Sequence, residues 1–179
     1  TVAESLDSAK ARRLAEVAAL VEARSSAAER EIMARFVAIY YGQLDPEDII
    51  ARGAADLYGM ARSQFDFART RVPGAPRLRV FNATPDEAGF AARHTVIEAV
   101  NDDMPFLVDS TTMEINRQGL ALHLIIHPIF AVRRDASGTL LDVQTRQQQP
   151  DWPRESLMHV EVDRLADPAA RGELAAGIE

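Results

Sequence analysis

The stretch VNDDMPFLVDSTTMEI, residues 100–115, sets two adjacent carboxylates in front of a proline. Asp102 and Asp103 in that pairing suit a general base or a pair of metal ligands. They also suit two quieter roles. A carboxylate at a helix start accepts hydrogen bonds from unpaired N–H groups, a cap worth about 0.5–2 kcal/mol. A turn of this kind also offers its own N–H groups to an anion or to a neighbouring surface.

Other residues invite the same weighing. His123 and His127 stand four apart in LALHLIIHPIF. On a helix that spacing suits a metal. On a strand the two share a face but sit about 13 Å apart, too far for one ion held by the pair alone. His159 and Glu161 share a face of a later strand and add ligands only if the strand register brings them close. Otherwise the face opposite Leu122, Leu124 and Ile126 is polar or forms an interface. His94 reads as a loop residue. Asp109 and Ser110 lack the G-x-S-x-G turn that makes a serine a nucleophile. Arg133 and Arg134, in RRDASG, read as a solvated hairpin tip, with contact to an acidic partner as the alternative. The nine glycines never form G-x-G, so no dinucleotide turn is present. The single lysine, Lys10, sits in a surface-type helix. These residues assign no catalytic group, no metal and no cofactor site within the chain.

The elements that must position these side chains fall into two parts. Residues 1–74 read as about three helices. The first carries Leu14, Val17, Ala18 and Val21 at three-four spacing. The second has a wide apolar face with Ile32, Met33, Phe36, Val37, Ile39 and Tyr40. The third starts at Asp45-Pro46 and runs on through Leu57 and Phe65 to Ala68. RVPGAP, residues 71–76, is the linker. Residues 75–179 alternate strands and helices. A short strand, RLRVFNA, is followed by HTVIEAVND and a helix over Pro105–Gln118, with Met104 beside Val108, Thr111, Thr112 and Ile115 on its buried face. A long strand bent at Pro128 turns at Asp135–Gly138 into TLLDVQT. SLMHVEVDRL is a further strand, and Asp167-Pro168 starts a last helix. The order predicts an α+β fold with a mainly antiparallel sheet, a ferredoxin-like βαββα sandwich. A fourth strand is expected after the last helix, so the second part reads as truncated at its C-terminus.

Bulk properties narrow the partners. Apolar residues make up 47% of the chain, enough for a substantial core. A net charge of -7 and a pI near 5.1 argue against nucleic acid and anionic membranes. There is no cysteine, which excludes disulfides and fits a reducing cytoplasm. The longest apolar run, Ala121 to Val132, is too short to cross a bilayer and is broken by two histidines and a proline.

VNDDMPFLVDSTTMEINRQGL, with HLIIHPIFAVRRDASGTL and LMHVEVDR behind it, resembles the N-terminal region of the large bacterial NAD-dependent glutamate dehydrogenases. That region is built of ACT-like domains, and the resemblance is strongest over residues 77–164. It implies an NAD-using parent that deaminates L-glutamate to 2-oxoglutarate and ammonia, with this chain as a non-catalytic regulatory or assembly module. It further implies a homo-oligomer whose partners are downstream domains and other subunits, with amino acids as allosteric effectors. The ACT turn, roughly D-x-P-G-x-L, maps onto Asp103, Met104, Pro105, Phe106 and Leu107 or Val108. With Asn101 and Asp102 before it, this is the ligand or interface turn that the resemblance implies. Phe106 replaces the glycine that would let a ligand approach the backbone. An independent enzyme using Asp103 and the histidines is the remaining alternative.

Overall fold

The computed structural model describes residues 3–179. Four helices come first: α1 (Leu6–Arg24), α2 (Arg30–Gly42), α3 (Pro46–Ile50) and α4 (Ala54–Ala68). The expected third helix is therefore two. Pro46 opens α3 as its sequence indicates, but the helix ends at Ile50 with Ala51 as its C-cap, and Gly53 becomes the extended N-cap of α4. Lys10 is put to use here: its ammonium donates to the carbonyls of Gly42 and Leu44, where α2 ends.

The second part contributes β1 (Arg77–Asn82), a single-turn α5 (Pro85–Ala88), β2 (Thr95–Asp102) and α6 (Leu107–Arg117). It continues with β3 (Leu122–Ile126), β4 (Ile129–Arg134), β5 (Leu140–Gln144), β6 (Arg154–Val162) and α7 (Pro168–Ile178). Every pairing is antiparallel, in the order β1-β2-β6-β4-β5, with β3 also on β6. β3 and β4 are the two halves of the bent strand. Pro128 has no N–H to give the ladder, so pairing with β6 stops at Ile126↔His159 and resumes at Ile129↔Ser156. The hairpin from β4 to β5 is held by Asp135, whose Oδ1 accepts from the N–H groups of Ser137 and Thr139.

The edge beside β2 is already filled. β1 pairs along it from Arg77↔Val100 to Asn82↔Thr95. In a split βαβ sheet this is the place of the strand that follows the second helix. The short strand RLRVFN, supplied from before the first unit, occupies it.

Both faces of the sheet are covered. On one, α6 and α7 close over Ile97, Ala99, Met158, Val160 and Val162, with Ile115 and Leu174 fully buried. Ile125 packs into this cluster, so the middle of the His123-Ile125-His127 face is apolar cover, not open polar surface. On the other face the first four helices lie over Val96, Val100, Leu124, Ile126, Phe130 and Leu157. Phe36 of α2 stacks on Phe130 of β4 at 4.9 Å and meets Phe65 of α4 edge-on at 5.3 Å. Helices and sheet thus share one apolar core. Met104 does not join the buried face of α6 as expected: it is 48% exposed.

Two glycines give opposite expectations for the same substitution. Gly59 lies in α4, where a Cβ would sit 2.2 Å from the carbonyl oxygen of Gly89. Gly172 lies in α7 with nothing within 4 Å. Alanine favours a helix over glycine by about 1 kcal/mol. Gly172→Ala should therefore stabilise by about 0.5–1 kcal/mol, whereas Gly59→Ala should destabilise by about 1–3 kcal/mol because backbone must move. Urea denaturation of the two variants checks the signs, and equal shifts would refute the close packing of α4 on the loop after α5.

Candidate functional site

The turn between β2 and α6 does not cap its helix with a carboxylate. The N-cap is Phe106, with no side-chain cap hydrogen bond. Asp102 instead accepts from Arg71 Nη1 at 2.9 Å, tying the end of β2 to the linker after α4. Asp103 pairs through its backbone, its N–H donating to the carbonyl of Arg154. Phe106 adopts φ 69°, ψ 11°, the left-handed conformation that glycine enters without strain and that costs another residue about 1–2 kcal/mol. Its ring is 72% exposed. The glycine-type turn is thus kept without the glycine, with an aromatic ring at its mouth. A cleft of about 440 Å³ lies alongside, lined by Asn101, Leu107, Ser110 and Thr111 among others. Of residues 101–106, Asn101 alone lines it.

A second assembly lies between the sheet and the helices above it. Glu98, Glu155, His159 and Glu161 are all buried on the sheet face under α1–α4. Each is met by a partner. Glu98 accepts from Ser63 Oγ at 2.8 Å and from Arg79 Nε at 2.9 Å. Glu155 receives Arg134 through two nitrogens, at 2.8 and 2.9 Å, and faces Arg71 at 3.2 Å. Arg134 is therefore not part of a solvated tip but a nearly buried half of a bidentate pair. Glu161 faces His159 Nε2 at 2.9 Å and Arg52 Nη2 at 3.1 Å. Burial pushes the Glu161 carboxyl up, but the hydrogen bond and charge of His159, with Arg52, overcome it and hold it at about 2.

The histidines are dispersed over separate tasks. His94 and His123 stack at 3.8 Å, and His123 Nε2 faces Asp163 at 2.8 Å. His127 Nε2 faces Ser156 Oγ at 2.6 Å, and burial pushes its pKa down against the opposing charge of Asp103. Ser156 is buried and the Asp103 carboxylate makes no hydrogen bond to His127 among the described residues, so this trio lacks the order of a nucleophilic triad. No three His, Asp or Glu side chains converge as metal ligands among the described residues. Ser110 and Asp109 are exposed on α6. No described helix is long and apolar enough to cross a membrane.

The family model for the ACT1 domain of glutamate dehydrogenase matches residues 36–178. The chain belongs to that family. Among its relatives, the NAD-specific glutamate dehydrogenase of Halomonas elongata is 39% identical over 145 residues, which is 80% of this chain and 9% of the relative. The enzyme of the same name from Pseudomonas aeruginosa is 33% identical over 142 residues, 79% of this chain and 9% of the relative. That from Mycobacterium tuberculosis is 28% identical over 117 residues, 64% of this chain and 7% of the relative. The ACT1 chain thus spans less than a tenth of these relatives. No solved structure matches it significantly. The match starts at Phe36, the ring that stacks on the sheet, so the helices from mid-α2 onward belong to the matched unit.

Sequence reasoning missed the buried charged layer of this ACT1 domain. Its one visible sign is Glu98, a lone carboxylate inside the apolar run TVIEAV. The pH dependence of stability checks the layer. Glu161 is held below the ordinary 4.5 when folded, so its contribution is present above that value and fades as pH falls from about 5 toward 2. Glu161→Gln should lower stability at pH 7 by about 2 kcal/mol or more and flatten the acid limb of the stability curve. Parallel curves for the two proteins would show that Glu161 is not so held.

Proposed function

We propose that this chain is a non-catalytic regulatory and assembly module of a large NAD-dependent glutamate dehydrogenase. The observation that carries the reading is the state of its ionisable groups. The buried carboxylates and His159 of the sheet, of which sequence alone leaves His159 and Glu161 open as ligands, are paired with one another or with arginines under a helical cover. Groups so held position structure; they do not meet a substrate. The parent reaction would be oxidative deamination of L-glutamate to 2-oxoglutarate and ammonia with NAD, in the cytoplasm, by a homo-oligomer.

The residues here do not fit NAD. A diphosphate needs a glycine turn and free N–H groups at a helix start. The β2–α6 turn offers Asp102, Asp103 and a bulky Phe106 in those places. The cleft beside Asn101 suits a smaller occupant, such as an amino-acid effector, and an effector acts by favouring one of two arrangements of the module and its neighbours. The exposed side chains of Met104, Phe106 and Met113 support contact with downstream domains or other subunits. They equally suit a stand-alone interaction or amino-acid-binding module.

Two assays separate these readings. The isolated chain, given L-glutamate and NAD, should form no NADH. A full-length enzyme carrying this segment should lose assembly or amino-acid response when Phe106 is replaced by Asp, with sedimentation and initial rates as readouts. NADH formation by the chain alone would overturn the reading. So would a full-length Phe106→Asp enzyme unchanged in both readouts.

A further inference from the structure

A second cleft, of about 610 Å³, opens where α2, the His127-Pro128 bend and the turn after β5 meet. It lies in the size range of small-molecule sites. Its floor is apolar, from Ala38, Ile39, Pro128 and Ile129. Its rim carries Arg146 and the amides of Gln43, Gln144 and Gln147, and no carboxylate lines it.

The two arginines of the cleft differ. Arg35 is fully engaged, donating to Glu31, Asp142 and the carbonyl of Val143, and so pins α2 to β5. Arg146 is exposed and pairs with no carboxylate among the described residues. It stands on a rigid support, because Thr145 and Gln148 close the turn beneath it by mutual hydrogen bonds between side chains and backbone. A guanidinium without a carboxylate partner, with amide neighbours, matches the planar fork of a carboxylate. The apolar floor calls for carbon behind that group.

We infer that this cleft binds a small organic carboxylate, with Arg146 receiving the carboxylate and Ala38, Ile39 and Ile129 receiving its apolar body. The site is separate from the β2–α6 turn and stands whether or not the chain regulates an enzyme. The Pro128 bend, where pairing with β6 lapses between Ile126 and Ile129, forms one wall of it.

The test is amide NMR titration of the 179-residue chain with L-leucine, L-glutamate, 2-oxoglutarate and inorganic phosphate. At least one carboxylate should give saturable shifts at Ile39, Gln144 and Arg146. Arg146→Ala should weaken that binding about ten- to a hundredfold. Ala38→Trp, which fills the floor from an exposed helix position, should abolish it, and Arg117→Ala on α6 should leave it unchanged. Three results overturn the inference: no saturable shifts at the cleft with any probe, affinity indifferent to Arg146→Ala, or phosphate binding as tightly as the carboxylates.

Discussion

Strand β6 is buried along nearly all of its length, and its two faces make different demands on the rest of the chain. Its even positions, Met158, Val160 and Val162, need only apolar cover, and α6 and α7 provide it. Its odd positions include Glu155, His159 and Glu161, which lose their hydration on folding. A buried charge without a partner costs several kcal/mol, so arginines must arrive from elsewhere. Arg52 comes from between α3 and α4, Arg71 from the linker, and Arg134 from the end of β4. The positions of the helical segment, the linker and the hairpin are all set by this requirement.

Much of the framework is readable in the sequence because it rests on local chemistry. Asp45-Pro46 and Asp167-Pro168 start helices where a fixed φ and a missing N–H are harmless. Pro128 breaks a strand because it cannot donate, and Asp135 closes a hairpin with its own carboxylate. What could not be read is what depends on distant partners. HVEV looks like a strand with one wet face, since polar and apolar residues alternate. That face is dry because helices from the first part lie on it, and the partners are far apart in sequence: Arg52 and Glu161 are separated by 109 residues. Arg134 was misplaced for the same reason. Beside a turn it reads as solvated, yet it reaches back to Glu155 and to the carbonyls where α4 ends.

The β2–α6 turn shows what family resemblance adds and where it stops. Its backbone keeps the left-handed step at Phe106 that a glycine would take freely. A side chain there changes what the turn can admit, since a ring occupies the approach that glycine leaves open. A costly conformation retained around an exposed ring fits a contact surface better than a tight pocket. Asp102, the residue that most invites a chemical role, is drawn into the same arginine system as Glu155. Asp102 thus ties the end of β2 to the linker, while Asp103 takes part through its backbone N–H to the carbonyl of Arg154.

This account makes the helices and the sheet one cooperative unit, since neither the aromatic stack on Phe130 nor the pairs of Arg52 with Glu161 and Arg71 with Glu155 exist without both. The most direct measurement is the amide NMR spectrum and urea unfolding of residues 75–179 alone, without α1–α4. The account predicts a poorly dispersed spectrum and no cooperative transition, because Glu98 and Glu161 lose Ser63 and Arg52 while Phe130 loses its cover. A well-dispersed spectrum with its own sharp unfolding transition would contradict it.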